Sequence, residues 1–194
     1  MRSALALVVM AGSAVGCTSD VVPEVCPAVG VGDLVITELR GNAGDVDLDR
    51  DWVEITNVGG GAVDLRGLHL RLRGLTGAGE DVMLVRSALP IAAAGQVVLG
   101  AFDARLLPEF VDYGWQPDFM TVVNKVPSSK HFPTGGILEL YACDVLIDRV
   151  QWTSLPALGT RSLGLMPPDA GGNDDTAAWC EVASTPGAPN TPCP

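Results

Sequence analysis

The chain reads as an all-β protein, and three observations predict this. Short runs rich in β-branched residues recur along it, each bounded by turn residues. Its 23 glycines and 14 prolines are spread throughout rather than massed in one linker, as many short strands and turns require. Long helical periodicity of the apolar residues is missing. Of 194 residues, 47% are apolar, which is enough for one domain with a substantial core. A sandwich or a barrel meets these terms.

The elements follow in order. Asp33 to Leu39 alternates, with Leu34, Ile36 and Glu38 on one face and Val35, Thr37 and Leu39 on the other. Trp52 to Thr56 is a second strand, and Asn57 before Gly59-Gly60-Gly61 suits a turn in which its side chain caps the backbone. Val63-Asp64-Leu65 and Leu68 to Leu72 alternate apolar with polar, as half-buried strands do. Val82 to Val85, Gln96 to Leu99 and Met120 to Val123 are further short strands. Ile137 to Tyr141 and Val145 to Trp152 flank Cys143-Asp144 as a hairpin. Phe102, Leu106 and Phe110 stand at helical spacing, so one short helix is expected over Asp103 to Phe110, weakened by Pro108.

The N-terminus reads as an export signal. Arg2 gives a positive start, and Ala4 to Gly16 is almost wholly apolar, too short for a spanning helix of about 20 residues. Ala14-Val15-Gly16-Cys17 resembles the bacterial lipobox, in which the cysteine is acylated and becomes the new N-terminus. The expected division is therefore 1–16 as lipoprotein signal peptide, 17–32 as tether and 33–194 as the folded domain. Membrane attachment through Cys17 follows, because several acyl chains each bury methylenes at about 0.8 kcal/mol apiece. Thr18, rather than Asp, after the cysteine resembles lipoproteins sent on to an outer membrane or cell surface.

If Cys17 is acylated, Cys26, Cys143, Cys180 and Cys193 remain, an even set that suits two disulfides in an exported protein. Four cysteines allow three connectivities. The Pro- and Gly-rich stretch between Cys180 and Cys193 can fold back, which favours that pair and leaves Cys26 with Cys143. No two cysteines stand two to four residues apart, so zinc is disfavoured.

The sharpest chemical feature is the loop carrying Asp45, Asp47, Asp49 and Asp51, carboxylates at alternate positions like the first half of a calcium loop. The EF-hand pattern stops there: Arg50 stands at the glycine position and Thr56 at the closing glutamate. The competing reading is a solvated acidic tip. Calcium is the one cofactor the sequence suggests, and a calcium-dependent adhesion or glycan-binding module is the alternative function. A second acidic patch, Asp169 with Asn173-Asp174-Asp175, has the same two readings.

Other residues point away from chemistry. Glu38 and Glu54 sit among apolar neighbours, where a buried carboxylate must accept hydrogen bonds. His69 alternates with leucines as a strand-surface residue. His131 follows Ser128-Ser129-Lys130, but no Gly-x-Ser-x-Gly elbow accompanies it. Lys125, Lys130 and His131 with Phe132 form a small basic-aromatic spot, and Arg66, Arg71, Arg73 and Arg86 lie along strands. A formal net charge of -11 disfavours nucleic acid as a partner. No catalytic residue is expected, and the chain is not expected to be an enzyme.

Taken together, Leu34 to Leu39, Asp51-Trp52-Val53-Glu54-Ile55-Thr56-Asn57 and Val63 to Leu68 resemble the opening of the lamin tail domain family. Gly159-Thr160-Arg161-Ser162-Leu163, Trp179 and Thr185-Pro186-Gly187-Ala188-Pro189-Asn190 resemble its close. The resemblance covers roughly Asp33 to Asn190. It implies an immunoglobulin-like β-sandwich, here with long loops, that acts as a binding or targeting module among exported bacterial proteins. Trp52 and Ile55 are then expected to fill the gap between the two sheets. Ala101 to Pro133 is longer and richer in proline than the family pattern, and the four cysteines are a feature of this chain.

Overall fold

Alternation along the chain becomes strands in the computed structural model, which describes residues 24–41, 51–77, 79–103, 105, 107–116, 120–123, 126–129, 132–156 and 159–194. In chain order they are β1 (Leu34–Arg40), β2 (Trp52–Asn57), β3 (Val63–Asp64), β4 (Leu68–Gly74), β5 (Asp81–Leu84), β6 (Pro90–Ile91) and β7 (Gln96–Asp103). Then come β8 (Tyr113–Gln116), β9 (Met120–Val123), β10 (Val126–Ser129), β11 (Gly136–Ala142), β12 (Val145–Trp152), β13 (Thr160–Leu163) and β14 (Trp179–Val182). One 3-10 turn, Thr176–Ala178, precedes β14.

A six-stranded sheet runs β14-β13-β1-β2-β7-β8 and a four-stranded sheet runs β12-β11-β4-β5. Two short pairs, β9 with β10 and β3 with β6, complete the set. The pairings within the larger sheet are antiparallel except β7 with β8, which is parallel. The all-β sandwich expected from the sequence is the architecture observed.

The two sheets close over one apolar core. Leu68, Leu70 and Leu72 point into it from β4, Leu138 and Leu140 from β11, and Ile36, Leu39, Val53 and Ile55 from β1 and β2. Trp152 packs on Phe132 at 5.7 Å between ring centroids, and Phe132 on Trp115 at 5.6 Å. Burying such rings removes roughly 150 to 250 Å² each from water, so this trio fastens one end of the core.

Four sequence expectations change here. Trp52 does not fill the inter-sheet gap. It joins Val98, Phe102 and Val111 in a second cluster. Trp52 and Ile55 are an odd number of residues apart on one strand, and such residues point to opposite faces. Glu38 does not share a face with Leu34 and Ile36 either. The β1–β2 register pairs Ile36 with Ile55 and then Glu38 with Glu54, leaving Thr37 as a bulge that reverses the alternation. The helix over Asp103 to Phe110 is not seen among the described residues. β7 runs through Asp103, and Val111 N–H closes a turn on Pro108 O, because proline cannot donate within a helix. Phe102 and Phe110 nonetheless meet, at 6.1 Å. Finally, Phe132 is buried in the core and so cannot serve a surface basic-aromatic spot; Lys125, Lys130 and His131 lie outside the described residues.

Cys26 pairs with Cys143 (Cα–Cα 5.5 Å) and Cys180 with Cys193 (5.7 Å), the connectivity favoured by the chain order. Two disulfides mark an oxidising, extracytoplasmic compartment. Among the described residues, no helix is long and apolar enough to cross a membrane.

Candidate functional site

The β1 bulge turns Thr37 and Glu38 onto the face of the larger sheet that carries Glu54 and Thr56. Parity places Thr160 and Ser162 of β13 beside them. Glu38 and Glu54 are both 0% exposed, so their oxygens need donors. Glu38 Oε1 accepts from Thr160 Oγ1 at 2.5 Å and from Ser162 Oγ at 2.7 Å. Glu54 Oε1 accepts from Thr37 Oγ1 at 2.7 Å, and Thr37 Oγ1 lies 3.0 Å from Thr56 Oγ1. Gln96 Nε2 donates to the same Glu54 oxygen at 3.4 Å.

The closing segment of the chain seals this row. Thr185 N–H donates to both oxygens of Glu38, at 3.2 and 3.3 Å, and Gly187 N–H donates to Glu54 Oε2 at 2.8 Å. Asn190 Nδ2 donates to Thr37 O at 2.7 Å and Leu163 O at 3.2 Å, and its Oδ1 accepts from Thr185 Oγ1. Gly187 has φ +74°, a left-handed conformation that glycine adopts without strain, and this lets its N–H face the carboxylate. Burial, helped by the Glu38 charge, pushes the Glu54 carboxyl up to about 7 against the pull of its hydrogen bonds. A carboxyl titrating there suits acid–base chemistry, but this one is covered by the backbone of residues 185–187 and is out of solvent's reach.

A groove of about 440 Å³ opens beside the sealed row. Thr37, Thr56, Asn57 and Gln96 line it together with Asn190, and Leu163, Leu165, Met166 and Pro189 add apolar surface. Met166 is 54% exposed, a large thioether left facing solvent. Asn57 holds the neighbouring turn, accepting from Gly59 N–H at 3.0 Å and donating to Gly61 O and Ala92 O.

A further buried carboxylate joins the sheets. Asp148 of β12 accepts from Ile36 N–H at 2.7 Å, next to the β1 bulge, and from Asn173 Nδ2 at 2.8 Å. Asn173 is held by Trp179 Nε1, which donates to its carbonyl at 2.8 Å. Burial pushes Asp148 up to about 6. Sequence reasoning passed over Asp148, although the spacing Asp148, Val150, Trp152 shared one face with two apolar residues and signalled it.

Of the acidic-loop residues, Asp45, Asp47 and Asp49 lie outside the described residues. Asp51 is buried at the start of β2, with Oδ2 accepting from Phe132 N–H at 2.8 Å. In the second acidic patch, Asp169 accepts from Gly172 N–H, Asp175 caps the 3-10 turn, and Asp174 stands 3.8 Å from Arg149. No group of three or more His, Cys, Asp or Glu side chains suited to a metal occurs among the described residues. Cys17 is likewise outside them.

The basic residues divide. Arg73 pairs with Glu139 at 2.6 Å, and Arg71 lies over the Tyr141 ring at 4.7 Å. Arg66, His69 and Arg86 line a separate cleft of about 380 Å³.

Compared with known proteins, the chain matches no family model and no curated protein sequence.

Proposed function

We propose that the chain is a lipid-anchored, extracytoplasmic β-sandwich of the lamin tail, immunoglobulin-like kind that binds a protein or envelope partner and performs no catalysis. The observation that supports this best is the meeting of four of its motifs. Leu34–Leu39, Asp51–Asn57, Gly159–Leu163 and Thr185–Asn190, far apart in sequence, share one hydrogen-bonded row around Glu38 and Glu54. Residues that are locked together in this way build a rigid frame, and rigid frames present binding surfaces at low entropic cost. The groove beside that frame joins apolar walls to a few fixed polar groups, the usual composition of a recognition site. Cys17 would tether the module to the membrane, with the outer membrane or cell surface as its location.

A photo-crosslinking residue at Met166 tests the binding role in intact cells, with the same residue at Arg105 as control. A discrete adduct from Met166 alone is the expected outcome. Equal labelling from both positions, or none from Met166, would remove the groove as the binding site.

A further inference from the structure

The row around Glu54 holds an arrangement that a binding frame does not need. Thr56 on β2 and Gln96 on β7 stand directly opposite each other. Side chains paired in this way are about 4.5 to 5.5 Å apart at Cβ, so one can reach the end group of the other. Here one end group is a hydroxyl, the other is a carboxamide, and a buried carboxylate lies beside both.

The directions of the hydrogen bonds follow from the supply of protons. A threonine hydroxyl has one proton to give. That of Thr37 goes to Glu54 Oε1 at 2.7 Å. The 3.0 Å contact between Thr37 Oγ1 and Thr56 Oγ1 therefore uses the proton of Thr56. The same Glu54 oxygen accepts from Gln96 Nε2 at 3.4 Å. A continuous line thus runs from the Thr56 hydroxyl through Thr37 to Glu54 Oε1, and on to the amide nitrogen of Gln96. Gly187 N–H holds the other oxygen of Glu54 at 2.8 Å, which leaves Oε1 facing this line.

These are the parts of an acyl transfer with its base in position. A hydroxyl oxygen adds to a carboxamide carbon as its proton is drawn away, and the amide nitrogen leaves as it gains one. Glu54 serves both ends through a single oxygen. Burial raises its carboxyl to about 7, where it can take and return a proton near neutral pH. Thr37, Glu54 and Thr56 are all buried, so little water competes for the carbonyl. Neighbouring strands hold the two reacting groups together, which removes the entropy of bringing them into contact.

We propose that Thr56 and Gln96 join in an intramolecular ester, with Glu54 carrying the proton and Thr37 relaying it. Thr56 Oγ1 forms a bond to Gln96 Cδ, and the Cδ–Nε2 bond breaks. The proton of Thr56 passes through Thr37 and Glu54 to the departing nitrogen, which leaves as ammonia. Nothing is oxidised or reduced. The groove that Thr37, Thr56 and Gln96 line is the way out. The step occurs once in each molecule and acts on no outside substrate. It goes beyond the binding role, stapling β2 to β7 beneath the groove.

Peptide mapping of the exported protein, expressed as the full chain and kept near neutral pH, tests this. Trypsin releases Asp51–Arg66, which carries Thr56, and Ser87–Arg105, which carries Gln96, and neither contains a cysteine. The expected product is the two peptides joined, lighter than their sum by one ammonia and split by hydroxylamine. Thr56→Val should give two separate peptides of full mass. Thr56→Ser, which keeps the hydroxyl, should give the joined product again. Glu54→Gln should slow the joining about a hundredfold or more, the usual contribution of a positioned base. A cooperative unfolding transition in each variant shows that it folds. Three results would overturn the proposal: separate peptides of full mass from the wild type, a joined product that persists in Thr56→Val, or a folded Thr56→Ser that does not join. Joining in Glu54→Gln at the wild-type rate would remove Glu54 as the proton carrier.

Discussion

Glu38 and Glu54 stand directly opposite each other on β1 and β2, both fully buried, and the closing segment of the chain supplies a backbone N–H to each. Two carboxylates side by side out of water are costly unless donors surround them or one takes up a proton. Here both remedies operate. Hydroxyls from β1 and β13 and amides from residues 185 and 187 provide the donors, and Glu54 titrates near neutrality.

That titration makes stability depend on pH. The folded protein holds the Glu54 proton from the ordinary 4.5 up to about 7, more tightly than the unfolded chain does. Its contribution is complete below about pH 4.5 and is lost as pH rises through 7. The loss is on the order of 3 kcal/mol, taking about 1.4 kcal/mol per unit. Denaturant unfolding across this range should show wild type losing ground to Glu54→Gln by about that amount. Parallel curves for the two proteins would contradict it.

Asp148 predicts a similar slope at lower pH and a larger structural cost. Its folded value is raised from 3.8 to about 6, so its contribution falls as pH rises through 6. Asp148→Ala strands Ile36 N–H and Asn173 Nδ2 between the sheets. Leaving buried donors unmet costs about 1 to 3 kcal/mol each, so a loss of roughly 3 kcal/mol is expected. Asp148→Asn, which keeps an acceptor, should lose less and flatten the pH dependence.

Gly187→Ala isolates the backbone. No atom lies within 4 Å of the added Cβ, so the penalty arises from φ +74° alone. About 1 to 2 kcal/mol is expected by thermal unfolding, the ordinary cost of a left-handed alanine.

Replacing both Cys180 and Cys193 by Ser opens a loop of 13 residues that holds Thr185, Gly187 and Asn190 over the carboxylates. The loss expected from loop entropy is about 3 kcal/mol. Amide exchange should accelerate first at Thr185 and Gly187, ahead of the β4 and β11 amides.

Asp51 and calcium can be separated. Asp51→Ala in chelator should cost about 2 kcal/mol, because Phe132 N–H loses its acceptor in the core. Asp47→Asn with Asp49→Asn should leave stability in chelator unchanged. A calcium-dependent rise in unfolding temperature that the latter pair abolishes would establish the metal reading of the loop.

Much of the fold was legible because a strand with one buried face has a strict period of two. The β11–β12 hairpin and the leucine row of β4 follow from it, and the Asn57 turn follows from an asparagine set before a glycine run. The period misleads where a residue is inserted. The bulge at Thr37 carries Glu38 to the other face, and no residue type announces it. Trp52 was legible in principle, since its distance from Ile55 already excluded a shared face. The parallel β7–β8 pair depends on a contact made after a long connection, which local pattern does not encode. At the site, burial of Glu38 and Glu54 could be read from their neighbours. The seal over them came from Thr185 to Asn190, more than a hundred residues later, and only the fold brings it there.

The most direct test of the account is metabolic labelling of the full chain with palmitate in a bacterial host, beside Cys17→Ser. Label on the wild type alone, with the protein retained in the envelope fraction, is the predicted result. An unlabelled wild type found in the soluble extracytoplasmic fraction would contradict the lipid anchor and return the chain to a freely secreted module.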